Sequence, residues 1–259
     1  MLLAVDVGNT QTVVGVFNGE NLEWQWRFAT VGARTADELA LLFGGFLGQQ
    51  DLSFSRQITG VAISSVVPDQ TQALREMVSR YFYFDPIVVE PGIKTGISIH
   101  TENPREVGPD RIVNALAAFS KFGGPCIVVD FGTATTYDAI SEGGEYLGGA
   151  IAPGIKVAAT GLFQATARLP RVELSAPRSP IGRNTIDALR SGLLFGAAAE
   201  VDGMIDRMQK ELGGGANVVA TGGLAELVVP LCETVDQIEP WLTLEGLRLI
   251  FDRNTAPDE

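Results

Sequence analysis

Val5-Asp6-Val7-Gly8-Asn9-Thr10-Gln11-Thr12 and Val129-Asp130-Phe131-Gly132-Thr133-Ala134-Thr135-Thr136 are two versions of one pattern: an apolar strand, an Asp-x-Gly turn, and a second strand. The offset between them is 124 residues (130 − 6), with Val, Asp, Gly and the last Thr coinciding, and Gly19 falls on Gly143 at the same offset. A single Asp-x-Gly is a common bend in which Asp caps the turn. Two copies in matched context within 259 residues predict two related half-domains.

The pattern has a chemical reading. A glycine-rich hairpin presents backbone N–H groups to anionic oxygens. An Asp at the strand end, just before the turn, can hold a cation against those oxygens. Asn and Thr add hydrogen bonds without adding charge. Two such hairpins, opposed across a central cleft, would grip a triphosphate and its Mg²⁺. Val218-Val219-Ala220-Thr221-Gly222-Gly223-Leu224 adds a strand, a Gly-Gly junction and a helix, where a flat base or ribose can approach the backbone closely.

Composition narrows the remaining possibilities. The formal net charge of −12 argues against a nucleic-acid or anionic-membrane partner. No apolar run reaches the roughly 20 residues of a membrane span, and Met1–Asp6 turns acidic too early for a signal peptide. A cytoplasmic location is therefore expected. Cys126, Cys232 and the single His100 make neither a zinc spacing nor a disulfide framework. His100 is assigned no catalytic role.

The predicted elements alternate as in an α/β protein with mixed sheets. Strands are expected at Leu2–Val7, Thr12–Phe17, Leu22–Ala29, Ile58–Ser64 and Pro86–Val89, with Asn18-Gly19 as a hairpin turn. Helices are expected at Ala36–Leu47 and Asp69–Phe82, and Glu90–Val107 reads as irregular. Pro109 opens a helix to Phe122, consistent with proline at a first helical position. A strand meander covers Cys126–Ile151, and helices follow at Ile155–Phe163 and Thr185–Leu212. After strand Val218–Ala220 come helix Leu224–Pro230, strand Thr234–Ile238 and helix Thr243–Phe251. The Gly and Ala steps of Ser191–Asp202 suit either a buried helix or close approach of two helices in a dimer.

The paired Asp-x-Gly hairpins and the late Thr-Gly-Gly resemble the superfamily of actin, Hsp70 and the acetate and sugar kinases. A finer resemblance, to the type III pantothenate kinase family, rests on five motifs in order: Asp6–Thr10, Asn103–Arg111, Asp130–Thr136, Gly148–Gly154 and Ile181–Thr185. It implies two actin-like (ribonuclease H-like) half-domains, residues 1–112 and 113–259, flanking the cleft. It also implies ATP-dependent phosphorylation of pantothenate, Mg²⁺, a monovalent cation (K⁺ or NH₄⁺), and a homodimer. Carried over by position, Asp6, Val7, Gly8, Asn9, Thr10, Gln11, Thr12 and Val13 would form the first phosphate hairpin, with Asp6 a candidate for Mg²⁺. Thr133 would contact ATP, and Asp130 would hold the monovalent cation. Thr101, Gly108, Pro109, Asp110, Arg111 and Thr185 would line the pantothenate site, with Asp110 as general base.

Two positions depart from the family pattern: Pro109 where Ala is usual, and Thr101 where Tyr is frequent. From the residues alone, a non-catalytic nucleotide-binding regulator and a kinase of another small hydroxylated substrate remain open.

Overall fold

The computed structural model describes residues 1–54 and 56–256. It places strands β1 (Leu2–Val7), β2 (Gln11–Asn18) and β3 (Asn21–Ala29), helix α1 (Ala36–Gly48), strand β4 (Gly60–Ser65), helix α2 (Pro68–Phe82) and strand β5 (Ile87–Val88) in that order. A short strand β6 (Ser98–Ile99) and a 3₁₀ turn at Pro104–Glu106 precede helix α3 (Pro109–Phe122). Then come strands β7 (Cys126–Phe131), β8 (Ala134–Ile140) and β9 (Glu145–Pro153), and helices α4 (Ile155–Ala165) and α5 (Thr185–Leu212). The chain closes with β10 (Asn217–Thr221), α6 (Ala225–Val228), a 3₁₀ turn at Val229–Leu231, β11 (Gln237–Ile238) and α7 (Leu242–Thr255).

The duplication expected from the twin motifs recurs in the sheet topology. One sheet has the order β3-β2-β1-β4-β5; the other has β9-β8-β7-β10-β11, with β6 added beside β9. In each, the first three strands form an antiparallel meander, and the β1–β4, β4–β5, β7–β10 and β10–β11 pairings are parallel. The repeat is imperfect at the turn itself. Val7 pairs with Thr12 in the first hairpin, and Phe131 pairs with Thr135 in the second. The second turn is therefore one residue shorter. Thr135, not Thr136, is the register counterpart of Thr12, and both are buried.

Local sequence accounts for the helices that cover these sheets. Thr35 caps α1 by accepting from the Glu38 N–H, while the Glu38 carboxylate accepts from the Thr35 N–H, a reciprocal arrangement that satisfies two otherwise orphaned donors. Leu39, Ala40, Phe43 and Leu47 then bury one face against Leu3, Val5, Val14 and Ile63. Asn184 caps α5 through the Asp187 N–H at 2.9 Å. Leu194, Ala198, Val201 and Ile205 of α5 pack in the second core with Ile127, Val129 and Val218.

Three expected elements differ, each for a local reason. The Leu224–Pro230 helix is split into α6 and a 3₁₀ turn, because Pro230 has no N–H to continue the ladder. The Thr234–Ile238 strand shrinks to β11, because Glu233 N, Thr234 N and Thr234 Oγ1 all donate to Asp202 Oδ1 on α5. The stretch Glu90–Val107 contains β6 and the 3₁₀ turn, too short for periodicity to reveal.

The chain divides into two units, and neither is continuous in sequence. One comprises Met1–Ser98, Asn103–Ala117 and the residues from Thr243 on; the other comprises Ile99–Glu102 and Ala118–Leu242. The sequence-based expectation for the half-domains is a single cut after residue 112. Helix α3 stays with the first unit through Ala117, and α7 returns to it. Thr243 Oγ1 donates to Asn114 Oδ1 at 2.7 Å, Leu244 and Phe251 lie over Gly15 and Gly60, and Gly246 packs against the Val113 backbone. A Cβ at position 246 would collide with the Val113 carbonyl. Gly246→Ala is expected to lower the urea midpoint, with a cost of about 1–3 kcal/mol typical of overpacking.

Candidate active site

In the first unit, Asp6 sits near the end of β1, opposite Val13 on β2 and Ser64 on β4. Beyond it the chain reverses through Gly8, Asn9, Thr10 and Gln11, with the Gly8 N–H donating to the Gln11 carbonyl at 3.0 Å. Asn9, Thr10 and Gln11 are exposed. The turn is held from below: the Thr30 N–H donates to the Thr10 carbonyl at 3.0 Å, and the Thr12 and Thr30 hydroxyls are 2.9 Å apart. The turn is thus tied to the sheet that carries it.

The second unit draws three of the motifs to one place. Asp130 sits near the end of β7, opposite Thr136 on β8 and Thr221 on β10. The Gly132 N–H donates to the Ala134 carbonyl at 3.0 Å, and the Gly154 N–H donates to the Thr133 carbonyl at 3.2 Å. A side chain at 154 would strike the Thr133 and Gly132 carbonyls, so only glycine lets β9 turn into α4 this close to the hairpin. Gly222 has φ +93°, and a Cβ there would strike Asp130 Oδ1 and the Phe131 backbone. The β10 turn packs this closely on the Asp130 carboxylate because position 222 has no side chain.

Helix α3 presents the acid. The Gly108 carbonyl accepts the first helical hydrogen bonds, from Arg111 at 3.1 Å and Ile112 at 3.2 Å. Pro109 takes the first helical position without losing a donor. Asp110 Oδ1 accepts from the Arg111 N–H at 2.9 Å. Burial pushes the Asp110 carboxyl above its ordinary value, opposed by that N–H and by the Arg111 guanidinium. A carboxylate in the first turn also benefits from the helix dipole. The result is a partly desolvated carboxylate held at a fixed helix start.

The other two expected substrate residues belong to the second unit. Thr101 lies just after β6; its hydroxyl is buried and has no hydrogen-bond partner among the described residues, and Gly148 leaves room beside its methyl. Thr185 is the first residue of α5 and is exposed. The N-cap of that helix is Asn184. His100 is exposed, with Nδ1 3.9 Å from Glu145. The Cys126 and Cys232 thiols are free, and burial pushes each up to about 12, which leaves neither as a thiolate.

The sequence motifs did not reveal a cavity of about 550 Å³ beside α4, lined among others by Lys156, Phe163, Arg171 and Leu227. These residues come from separate segments with no common motif. The only sequence signal is a local excess of cations: Lys156, Arg168, Arg171, Arg178, Arg183 and Arg190 lie in one stretch, with only Glu173 and Asp187 against them.

Duplicated meander-and-crossover sheets, each ending its first strand in Asp-x-Gly, define a protein of the actin-like kinase superfold. Solved structures agree on the fold: component A of (R)-2-hydroxyglutaryl-CoA dehydratase from Acidaminococcus fermentans aligns with a TM-score of 0.56 at 15% identity, covering 95% of this chain and 94% of that one. The ROK hexokinase of Thermus thermophilus aligns with a TM-score of 0.51 at 15% identity, covering 96% and 97%. At family level, the profile of type III pantothenate kinase matches residues 2–207. The type III pantothenate kinase of Moorella thermoacetica is 53% identical over 255 residues, covering 98% of this chain and 100% of the relative. The chain belongs to the type III pantothenate kinase family.

Proposed function

We propose that this enzyme transfers the γ-phosphoryl group of ATP to the primary hydroxyl of pantothenate, the first step toward coenzyme A. The observation that supports this most directly is the start of α3, where Asp110 is fixed and partly desolvated next to Arg111. Asp110 accepts the hydroxyl proton as the oxygen attacks. In a loose phosphoryl-transfer transition state that proton leaves late, so a weak but well-placed base is sufficient. Arg111 offers a planar fork to the pantothenate carboxylate. Gly108, Pro109, Thr101 and Thr185 complete the substrate contacts, and the buried Thr101 hydroxyl is available to a polar group of the substrate.

The amides and side chains of Asp6–Val13, together with Thr133, bind the phosphates. The donor set at Asp6 and Asp130 fits hard cations: each is a carboxylate near a strand end beside a glycine turn. We assign Mg²⁺ to Asp6 and a monovalent cation, K⁺ or NH₄⁺, to Asp130. Bound there, the ions would neutralise charge on the phosphoryl oxygens. Asp130→Ala is expected to weaken K⁺ activation and ATP affinity together; a K⁺ titration matching that of the unmodified enzyme would count against the assignment.

The enzyme works in the cytoplasm as a homodimer in this reading. Among the described residues no helix is long and apolar enough to cross a membrane. The second unit exposes Leu147 and Ile151 on one face of β9, and Val157 and Leu162 on α4. Position 151 is 67% exposed, and a group of exposed apolar side chains of this kind suits coverage by a second copy. Ile151→Asp is expected to shift the sedimentation coefficient from that of a dimer to that of a monomer.

The reaction itself is tested by coupled detection of ADP with pantothenate, ATP and Mg²⁺, with and without K⁺. Release that requires both pantothenate and K⁺ is expected. Release independent of pantothenate would point to another acceptor, and none at all to a nucleotide-binding regulator.

A further inference from the structure

Ser64, on β4 of the first unit, carries a polar group that the fold does not use. The residue is fully buried, and its Oγ has no hydrogen-bond partner among the described residues. The next residue differs: the Ser65 hydroxyl donates to the Val67 carbonyl at 3.2 Å and accepts from Thr71 Oγ1 at 2.8 Å. Side chains alternate between faces along a strand, so the two serines face opposite ways. Ser65 shares its face with Val61 and Ile63, which pack in the core with α1 and α2. Ser64 shares its face with Gly60 and Ala62, the side on which Phe251 of α7 lies over Gly60. Ala62 is as completely buried as Ser64, so a methyl group is enough to pack this face. A buried hydroxyl without a bond destabilises a fold, and the one at position 64 therefore calls for a function.

The strand register places that hydroxyl next to Asp6. β1 and β4 run parallel, and Asp6 is paired with Ser64. Paired residues of neighbouring strands share a face, with the strands about 4.8 Å apart. An O–H donor thus stands within reach of a carboxylate, which only accepts. On the other side of Asp6, β2 places Val13 opposite it, and valine has no side-chain donor. A carboxylate that ligates a metal is oriented by hydrogen bonds to its oxygens, and losing such a partner weakens metal binding by about 10- to 100-fold. Ser65 faces away and has no such role.

We infer that Ser64 is a positioning residue for the divalent cation: its hydroxyl donates to the Asp6 carboxylate when Asp6 holds the ion, and so fixes the orientation of the ligand. The inference rests on the assignment of Mg²⁺ to Asp6. Mn²⁺ alone, titrated into the full-length protein and followed by electron paramagnetic resonance of the free ion, tests both. Asp6→Asn is expected to abolish the tightest site. Ser64→Ala is expected to weaken that site about tenfold. Its urea midpoint without metal should equal or exceed that of the unmodified protein, because the group removed makes no bond. Ser65→Ala should show the reverse, a lower midpoint at unchanged Mn²⁺ affinity, because it loses its bonds to Val67 and Thr71. Unchanged Mn²⁺ affinity in Ser64→Ala overturns the inference. So does a loss of affinity that comes with a lower midpoint, the mark of a structural role. Mn²⁺ binding by Asp6→Asn equal to that of the unmodified protein, or no binding by either, defeats the Mg²⁺ assignment itself, so the two failures are distinguishable.

Discussion

Asp110→Asn should lower kcat by at least about a hundredfold in a protein that folds normally, the range expected when a positioned general base is removed. The substitution is close to isosteric. Its side-chain oxygen can still accept from the Arg111 N–H, as Asp110 Oδ1 does at 2.9 Å, so the start of α3 is preserved and only the proton acceptor is lost. The same carboxyl is expected to govern the pH profile. Burial raises its pKa above the ordinary 3.8, so the deprotonated, active form is depleted at a higher pH than for a solvated Asp. The acid limb of kcat/KM is therefore expected above that ordinary value and should be absent in the Asn variant. Full turnover by a folded Asp110→Asn protein would remove Asp110 from the mechanism.

Gly222→Ala is expected to raise the KM for ATP at least about tenfold, equivalent to about 1.4 kcal/mol of lost binding. Two effects act in the same direction. The residue has φ +93°, in the region that favours glycine, and holding a non-glycine residue in such a conformation costs about 1–3 kcal/mol. The added methyl also meets Asp130 Oδ1 and the Phe131 backbone, and backbone has little freedom to move aside. Either β10 is displaced from β7 or the Asp130 carboxylate rotates away, and both change the hairpin on which phosphate is proposed to rest. The KM for pantothenate should change far less. Equal ATP affinities for the variant and the unmodified protein would show that this junction does not support the nucleotide.

What the sequence revealed was local chemistry. Asp6-x-Gly8 and Asp130-x-Gly132 were legible because strand, turn and strand are contiguous, and the sheet orders bear out the duplication they suggested. The one-residue difference between the two turns was hidden because Thr135 and Thr136 are the same residue type, so either could be aligned with Thr12. The start of α3 at Pro109 followed from proline geometry alone. The destination of α7 did not, because an amphipathic pattern shows that a helix has an apolar face without showing which sheet receives it. Leu244, Leu247 and Ile250 would suit either core. Asp202, which shortens the strand before Ile238, acts across more than thirty residues and leaves no trace in local periodicity. The cavity lining beside α4 was illegible for the same reason.

The return of α7 to the first unit has a consequence for synthesis on the ribosome. When residues 1–117 have emerged, Gly15 and Gly60 still lack the side chains of Leu244 and Phe251 that cover them. The amino-terminal half must therefore wait, incompletely sealed, while the whole of the other half is translated. A nonsense mutation near codon 243 would thus unseat the part of the protein made first.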